Sequence, residues 1–262
     1  MLPLIAKKTV RLSYGDVAYL EAGGPTKPPV LLVHGIPTSS FLWRHVMRFL
    51  QQDFHCIAPD LMGLGDTIVD PNRHSFDMGS QAEMLLELMT TLGHERFAIA
   101  CHDQGGAAAQ IIAATQPDRL TALVLTDCVA YDNWPVPAIA RLQRLAALPL
   151  VGDLLGSPRL VDWMETKTPL SRFRKGVYEA RKLSDAAIRE YLRPMKTLAG
   201  RERFRAFLLA GDSRHTQLAV DGLRSFEAPT LVLWAADDRY LSPSWGKKLQ
   251  EDIAGAKRFE LI

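Results

Sequence analysis

The sequence has few cysteines, no long apolar run and almost no net charge, and each absence excludes a class of protein. Its three cysteines, Cys56, Cys101 and Cys128, are too few and odd in number for a disulfide framework. Each lies in or beside an apolar strand-like run, which favours buried thiols in a reducing compartment. No apolar run approaches the roughly 18 residues of a membrane span. A formal net charge of +2 with dispersed Lys and Arg disfavours nucleic-acid and anionic-membrane partners.

Targeting and cofactor signals are also missing. Residues 1–10 lack the order and length of a secretory signal, so we expect a cytoplasmic protein. No metal-spaced cluster of Cys and His and no dinucleotide-binding glycine fingerprint is present, so we expect no metal and no cofactor. The 262 residues, 47% of them hydrophobic, suffice for one large domain or for a core domain with an insertion.

Apolar runs of strand length alternate with amphipathic stretches of helix length through most of the chain. This alternation predicts βα units and an α/β fold with a doubly wound, mostly parallel sheet. A hairpin is predicted first, with Tyr14, Gly15 and Asp16 turning between strands at 10–12 and 17–21. The further predicted strands are 30–33, 55–58, 97–100, 122–125, 231–234 and 258–262, and the predicted helices between them are 41–51, 80–92 and 105–115.

The alternation stops after Asp127, because residues 131–227 contain several helical stretches and no convincing strand. An insertion between two core strands would lie over the carboxyl edge of the sheet, where ligands bind in such folds. We therefore expect a core in two parts, 1–130 and 228–262, the second incomplete, with a helical cap at 131–227 inserted before the penultimate strand. A separate helical domain is disfavoured, since the strand pattern resumes at Thr230 and needs the earlier strands for pairing.

The strongest chemical signal is CHDQGG at residues 101–106, between a predicted strand and a predicted helix. It has the form small-x-nucleophile-x-small of a strand-to-helix elbow, with Asp103 at the reactive position. Gly105 and Gly106 let the backbone pass closely. A helix N-terminus favours an anion, so we expect an ionised Asp103 that is ready to attack. A plain helix N-cap is the alternative interpretation, since Asp favours that position.

The loop after the predicted strand 30–33 supplies a partner for this elbow. It begins with His34, Gly35, Ile36 and Pro37, where such folds place the second amide of an oxyanion hole. The backbone N–H groups of Ile36 and Gln104 are our candidates for that hole. Pro37 follows either a cis or a trans peptide bond.

Besides Asp103, acidic residues follow three further predicted strands. Asp238, in the turn after strand 231–234, is the first candidate for an acid that orients a histidine. Asp237 is the second candidate, and Asp127 is the third. Adjacent Asp residues in a turn are most often solvated or capping, which is the alternative here. Asp60, which follows strand 55–58, is assigned a structural role.

In combination these motifs resemble the Asp-nucleophile branch of the α/β-hydrolases, the haloalkane dehalogenases and soluble epoxide hydrolases, over the whole chain. The stretch HGIPTSSFLWR at 34–44 looks most like the dehalogenases, and HDQGG at 102–106 suits either family. The resemblance implies an α/β-hydrolase fold and a small apolar organic substrate. It also implies that Asp103 displaces halide or opens an epoxide, forming an aspartyl ester that a His-activated water hydrolyses.

The chain departs from both families at several positions. Dehalogenases of this type usually have Asn where this chain has Ile36, and Trp where it has Gln104, and both groups stabilise halide. Ile36 instead suits the His-Gly-x-Pro pattern of the epoxide hydrolases, in which two cap tyrosines protonate the opening oxygen. Candidate cap contacts are Trp134 and Trp163 for a halide, and Tyr178 and Tyr191 for an epoxide oxygen. For all four, packing is the alternative.

In these families the catalytic histidine follows the last strand, whereas none of the seven histidines follows Asp238. We expect either a chain truncated within that strand or one that cannot complete the cycle, since ester hydrolysis is slow without a base. The leading hypothesis is a haloalkane dehalogenase-like hydrolase. An epoxide hydrolase and a non-catalytic small-molecule-binding homologue are the alternatives. A serine esterase is disfavoured, because no Ser occupies the elbow.

Overall fold

The computed structural model describes residues 6–148 and 157–262, so parts of the expected core and cap, residues 1–5 and 149–156, lie outside the described residues. The strands are β1 (Lys7–Arg11), β2 (Gly15–Ala22), β3 (Pro29–Val33), β4 (His55–Pro59), β5 (Ile68–Val69), β6 (Phe97–Asp103), β7 (Leu120–Cys128), β8 (Thr230–Trp234) and β9 (Ala256–Leu261). The helices are α1 (Arg44–Leu50), α2 (Met78–Thr91), α3 (Gln104–Thr115), α4 (Pro137–Ala147), α5 (Pro158–Lys167), α6 (Arg172–Lys175), α7 (Asp185–Leu192), α8 (Leu198–Ala210), α9 (Arg214–Leu218), α10 (Val220–Arg224) and α11 (Pro243–Asp252).

All the strands join one sheet in the order β1-β2-β4-β3-β6-β7-β8-β9, with β5 paired to β2. The strands from β4 to β9 along this order pair in parallel, whereas the pairs made by β2 are antiparallel. The expected doubly wound, mostly parallel sheet and its N-terminal hairpin are therefore confirmed. Because β3 lies between β4 and β6, the chain reverses its direction of winding there. The loops after β3 and β6 meet at this switch point, where open α/β sheets bind ligands.

Two central strands run further than the sequence pattern predicts. β6 and β7 pair in parallel from Phe97 as far as Asp103 and Cys128, with register shifts near both ends of β6. The pairing therefore carries the residues of the elbow to the very edge of the sheet. Two elements have no counterpart among the predicted ones. β5 has two residues, too few to show a period, and α11 combines an N-terminal proline with mostly polar residues.

β3 shows why the middle of the sheet reads as a continuous apolar run. Its side chains alternate between two core layers, since successive residues of a strand point to opposite faces. Leu31 and Val33 pack in the layer that α2 and α3 cover. Val30 and Leu32 pack in the layer on the side of α1. Each fully buried side chain of this kind contributes about 1.5–3 kcal/mol, so covering both faces fixes the strand in the centre of the molecule.

Between β7 and β8 the described residues form helices α4 to α10 and short 3₁₀ turns, with no strand. Helices α9 and α10 of this segment pack against α3, and two further contacts join the segment to the loop after β4. Phe207 of α8 packs on Gly63, where an added Cβ would lie 2.5 Å from the Phe207 Cβ. Arg193 donates to both carboxylate oxygens of Asp66, at 2.7 and 2.6 Å. No helix among the described residues is long and apolar enough to cross a membrane.

Candidate active site

Asp103 is the last residue of β6 and directly precedes α3, in the turn between strand and helix. Its backbone has φ 53 and ψ −126, and its side chain makes no capping hydrogen bond to the helix. An ordinary N-cap is extended and accepts a hydrogen bond from the first turn, so the N-cap alternative does not describe this residue. A positive φ at a non-glycine residue costs about 1–3 kcal/mol. The surrounding strand and helix hold Asp103 in this conformation.

Three glycines make the close packing of the elbow possible. A Cβ added to Gly35 would lie 2.5 Å from the Asp103 Cβ and 2.7 Å from its Cγ. A Cβ added to Gly105 would lie 2.6 Å from the carbonyl oxygens of Val33 and His34. A Cβ added to Gly106 would lie 2.3 Å from the Cys128 Sγ. Side chains at these positions would push the nucleophile turn away from β3 or β7. The sequence indicated this role for Gly105 and Gly106 but gave no such signal for Gly35.

The electrostatic environment makes Asp103 a weaker acid than an ordinary carboxyl group. Its pKa is raised from 3.8 to about 7: burial is the largest cause, the backbone N–H of Gln104 opposes the rise, and the charges of Asp238 and Asp127 add to it. The residue keeps some solvent access, but its Oδ1 is buried and has no hydrogen-bond partner. Burial therefore opposes the ionised Asp103 that the sequence predicts, and its effect on the pKa outweighs that of the helix N-terminus.

The loop after β3 is braced by a buried, neutral histidine. His34 Nε2 accepts from the Leu61 N–H at 3.1 Å, and its Nδ1 lies 3.0 Å from the Gly35 carbonyl oxygen. Burial lowers the pKa of His34 to about 4, so the ring stays uncharged at neutral pH. The Ile36–Pro37 bond is cis. The Ile36 N–H donates to no described residue, and its role in an oxyanion hole with the N–H of Gln104 stays a prediction.

Two of the three candidate acids meet beside the nucleophile. Asp127, at the end of β7, accepts from the Ala235 N–H at 2.8 Å, and its carboxyl group is in hydrogen-bond contact with that of Asp238. Asp238 also accepts from two N–H groups of its own turn, at 2.7 and 2.9 Å. Burial raises the pKa of Asp127 to about 6, with the charge of Asp238 adding to the rise. Asp237 is exposed, so the pair consists of the first and third candidates.

Buried polar atoms without partners concentrate at this site. Within the described residues there are six such side-chain atoms, and four of them belong to His102, Asp103, Gln104 and Trp134. Burial lowers the pKa of His102, and the nearby charge of Asp238 opposes that change. Orphaned buried groups are rare in folded proteins and each requires an explanation. Their clustering makes the elbow the candidate ligand site among the described residues.

The four candidate cap contacts occupy very different places. Trp134 is 6% exposed and its indole Nε1 is one of the orphaned atoms. Trp163 is 56% exposed and Tyr178 is 94% exposed, so the structure does not bring either to the elbow. Tyr191 is buried, stacked on Phe173 with ring centroids 5.6 Å apart, and its hydroxyl is hydrogen-bonded to an arginine, Arg44. Tyr178 and Tyr191 therefore do not form a pair.

Asp60 and His215 lie in other surroundings. The buried Asp60 carboxylate accepts from the backbone N–H groups of Ser40 and Asp66 and from the Lys7 ammonium, each at 2.7 Å. These contacts give Asp60 the structural role that the sequence predicts. His215 faces Asp77 across 3.6 Å near the start of α2. The described residues contain no group of three or more His, Cys, Asp or Glu side chains placed to hold a metal ion.

Comparison with known proteins agrees with this fold. The family model described as alpha/beta hydrolase fold matches residues 28–262. The chain is 33% identical over 128 residues to haloalkane dehalogenase 2 of Mycobacterium bovis, covering 49% of this chain and 43% of that protein. It is also 33% identical over 132 residues to a soluble epoxide hydrolase of Corynebacterium sp., covering 48% and 45% respectively. The matches thus span less than half the length of these relatives.

A solved structure extends the likeness to nearly the whole chain. The haloalkane dehalogenase DbeA from Bradyrhizobium elkani gives a TM-score of 0.78 at 23% identity, covering 98% of this chain and 89% of that one. At this level of identity the likeness establishes the fold alone, because one fold supports many chemistries.

Proposed function

Because the chain belongs to the alpha/beta hydrolase fold family, we propose that it is a hydrolase that cleaves carbon–halogen bonds of small apolar substrates through an ester on Asp103. The observation that carries the proposal is the conformation of Asp103. Its positive φ of 53 holds a carboxylate at the reactive position of the elbow, and its Oδ1 is buried without a partner. A structural aspartate, such as Asp60, would have its oxygens satisfied.

The first step forms the ester. One oxygen of the ionised Asp103 carboxylate attacks the carbon that bears the halogen, and a new C–O bond forms. The carbon–halogen bond breaks at the same time, and its electron pair leaves on the halide. The negative charge of the site passes from the carboxylate to the halide, so the total charge is unchanged. Removing charge from a buried carboxylate favours this step.

The second step returns the carboxylate. This step requires a base: water adds to the ester carbonyl while the base takes one of its protons, which gives a tetrahedral oxyanion. The oxyanion collapses and the bond between the carbonyl carbon and the alkyl-bearing oxygen breaks. The leaving alkoxide takes the proton of the added hydroxyl group to become the alcohol, the carboxylate returns, and the base releases its proton to solvent. The N–H groups of Ile36 and Gln104 are proposed to hold that oxyanion. The carboxyl pair of Asp127 and Asp238 is proposed to orient the base and to stabilise it once it is protonated.

The epoxide hydrolase alternative requires a proton donor for the opening oxygen. The exposure of Tyr178 and the contact of Tyr191 with Arg44 disfavour the two tyrosines in that role. The non-catalytic alternative, a homologue that only binds a small molecule, treats Asp103 as a turn residue. It gives no reason for an orphaned carboxylate oxygen in a costly backbone conformation.

Intact-mass measurement after incubation with 1-bromohexane or with 1,2-epoxyhexane tests these alternatives. We expect the bromoalkane to release bromide and to add a hexyl group that peptide mapping places on Asp103. Asp103→Asn should show neither, and Asp237→Asn, which changes an exposed neighbour, should behave like the parent. Labelling by the epoxide alone would replace the proposal with the epoxide hydrolase alternative. With no label and no released bromide or alcohol from either compound, the nucleophile role of Asp103 is refuted.

A cytoplasmic location is part of the same proposal. Cys56, Cys101 and Cys128 are free and buried, which suits a reducing compartment. Fractionation of the native host cell, with detection by antibody, tests the location.

A further inference from the structure

Two histidines from separate parts of the chain face each other at the edge of the sheet opposite the elbow. His55 begins β4 and His94 lies three residues before β6, so both are near the amino ends of strands that run in parallel. Asp103 is at the carboxyl end of β6, about 20 Å along that strand. The His55 Nδ1 lies 3.0 Å from the His94 Nε2. Spacing in the sequence does not reveal this pair, because 39 residues separate its members.

A carboxylate orients the ring of His55. The His55 Nε2 lies 2.8 Å from Oε1 of Glu21, a residue of β2 whose other carboxylate oxygen pairs with Lys8 at 2.6 Å. Burial raises the pKa of Glu21, but the hydrogen bonds from Lys8 and His55 outweigh burial and lower it from 4.5, so the carboxylate is ionised. An ionised carboxylate only accepts hydrogen bonds. A neutral His55 therefore carries its proton on Nε2 and turns the lone pair of Nδ1 towards His94.

The ring of His94 can present a second lone pair. Burial lowers the pKa of His94, with His55 adding to the effect and Glu21 opposing it, so the ring is neutral at pH 7. Neutral imidazole is the form that binds metal ions. Its Nδ1 has no hydrogen-bond partner among the described residues and reaches solvent, so the ring proton can lie there and free Nε2. The backbone of His94 is held in place, because Arg119 donates to its carbonyl oxygen at 3.1 Å.

We propose that His55 Nδ1 and His94 Nε2 together bind a divalent transition-metal ion of the nickel and copper type, with water completing the coordination. Two nitrogens 3.0 Å apart, each about 2.0–2.1 Å from an ion, define an angle of about 95° at that ion. This is near the right angle between neighbouring ligands in square-planar and tetragonal sites, which Ni²⁺ and Cu²⁺ favour. Histidine ligands in proteins commonly donate the other ring nitrogen to a carboxylate, as His55 does to Glu21. The site lies far from Asp103 and does not depend on the proposed function.

Nickel titration tests the site. NiCl₂ is titrated by calorimetry into the untagged protein at pH 7.5, and nickel is the probe because it does not oxidise the three free thiols. We expect saturable binding of one ion, with binding at least tenfold weaker in His94→Gln and in His55→Gln. Glu21→Gln should weaken binding about tenfold, because an amide oxygen holds the ring of His55 less firmly than a carboxylate does. Nickel should also raise the melting temperature of the parent, but not that of the two histidine variants.

Two matched variants control for the lost charge and for other histidines. Lys8→Gln removes the cation beside Glu21 and keeps the carboxylate on His55, so it should bind nickel like the parent. His215 also faces a carboxylate, that of Asp77 at 3.6 Å, so His215→Gln should bind like the parent too.

His94→Gln decides the question if His55→Gln does not fold, because the ring of His94 is only partly buried. Absence of saturable nickel binding, parent-like binding in His94→Gln, or an equal loss of binding in His215→Gln overturns the site.

Discussion

Replacing Asp103 with Asn should stabilise the protein at alkaline pH, because the native state holds this carboxylate in surroundings that disfavour its charge. Its pKa rises from 3.8 to about 7 on folding. The native state therefore binds its proton more tightly than the unfolded chain does, and stability falls as the pH rises from about 4 to about 7. At 1.36 kcal/mol for each pKa unit the full effect is about 4 kcal/mol. Partial solvent access reduces it by about half.

The assay is urea unfolding of the parent and of Asp103→Asn at several pH values from 5 to 8. Asn has nearly the same shape as Asp and stays neutral, so the variant should not lose stability through this position as the pH rises. We expect its advantage in unfolding free energy to grow by about 1–2 kcal/mol between pH 5 and pH 8. Asp237→Asn, at an exposed carboxylate, should follow the parent throughout. If the unfolding free energies of the parent and of Asp103→Asn change in parallel with pH, burial does not disfavour the charge of Asp103, and the reasoning is refuted.

Three further predictions concern the ionisation of Asp103, its packing against Gly35 and the buried ion pair of Asp60. The rate of ester formation should rise about tenfold from pH 6 to pH 8 as Asp103 ionises. Asp238→Asn removes a nearby negative charge, so it should move the midpoint of this pH–rate profile to lower pH; an unmoved midpoint contradicts this. Gly35→Ala should slow ester formation by about 100-fold, measured by quenched intact mass, because its Cβ would lie 2.5 Å from the Asp103 Cβ. Asp60→Asn should lower the unfolding free energy by about 3 kcal/mol in urea titrations, since it breaks the buried pair with Lys7; a loss below 1 kcal/mol contradicts this.

The sequence predicted the parts of the site that rest on local pattern. An apolar run, a turn with two glycines and a helix define the elbow, so Asp103 could be singled out from a few neighbouring residues. The Ile36 loop could be placed in the same way, because the end of β3 is marked by its own apolar run. Strand positions were predicted well for the same reason. The ends of β6 and β7 were not predicted, since the pairing between these two strands decides where each of them stops.

The features that escaped prediction arise from distant parts of the chain. Gly211 follows a helix end, where glycine is common, and only the folded chain brings it against Trp134 and Gln104. The raised pKa of Asp103 escaped prediction for the same reason. A helix N-terminus can be read from the sequence, but burial and the approach of Asp127 and Asp238 depend on three strands meeting at one edge.

The raised pKa of Asp103 bears directly on the proposed ester chemistry. Before attack, the ionised carboxylate holds one negative charge in buried surroundings, and burial makes that state costly. As the proposed ester forms, the charge leaves the carboxylate with the halide, and a neutral ester takes its place. The energy spent on burying the charge of Asp103 is then partly recovered as the barrier is crossed, while the total charge of the site stays constant.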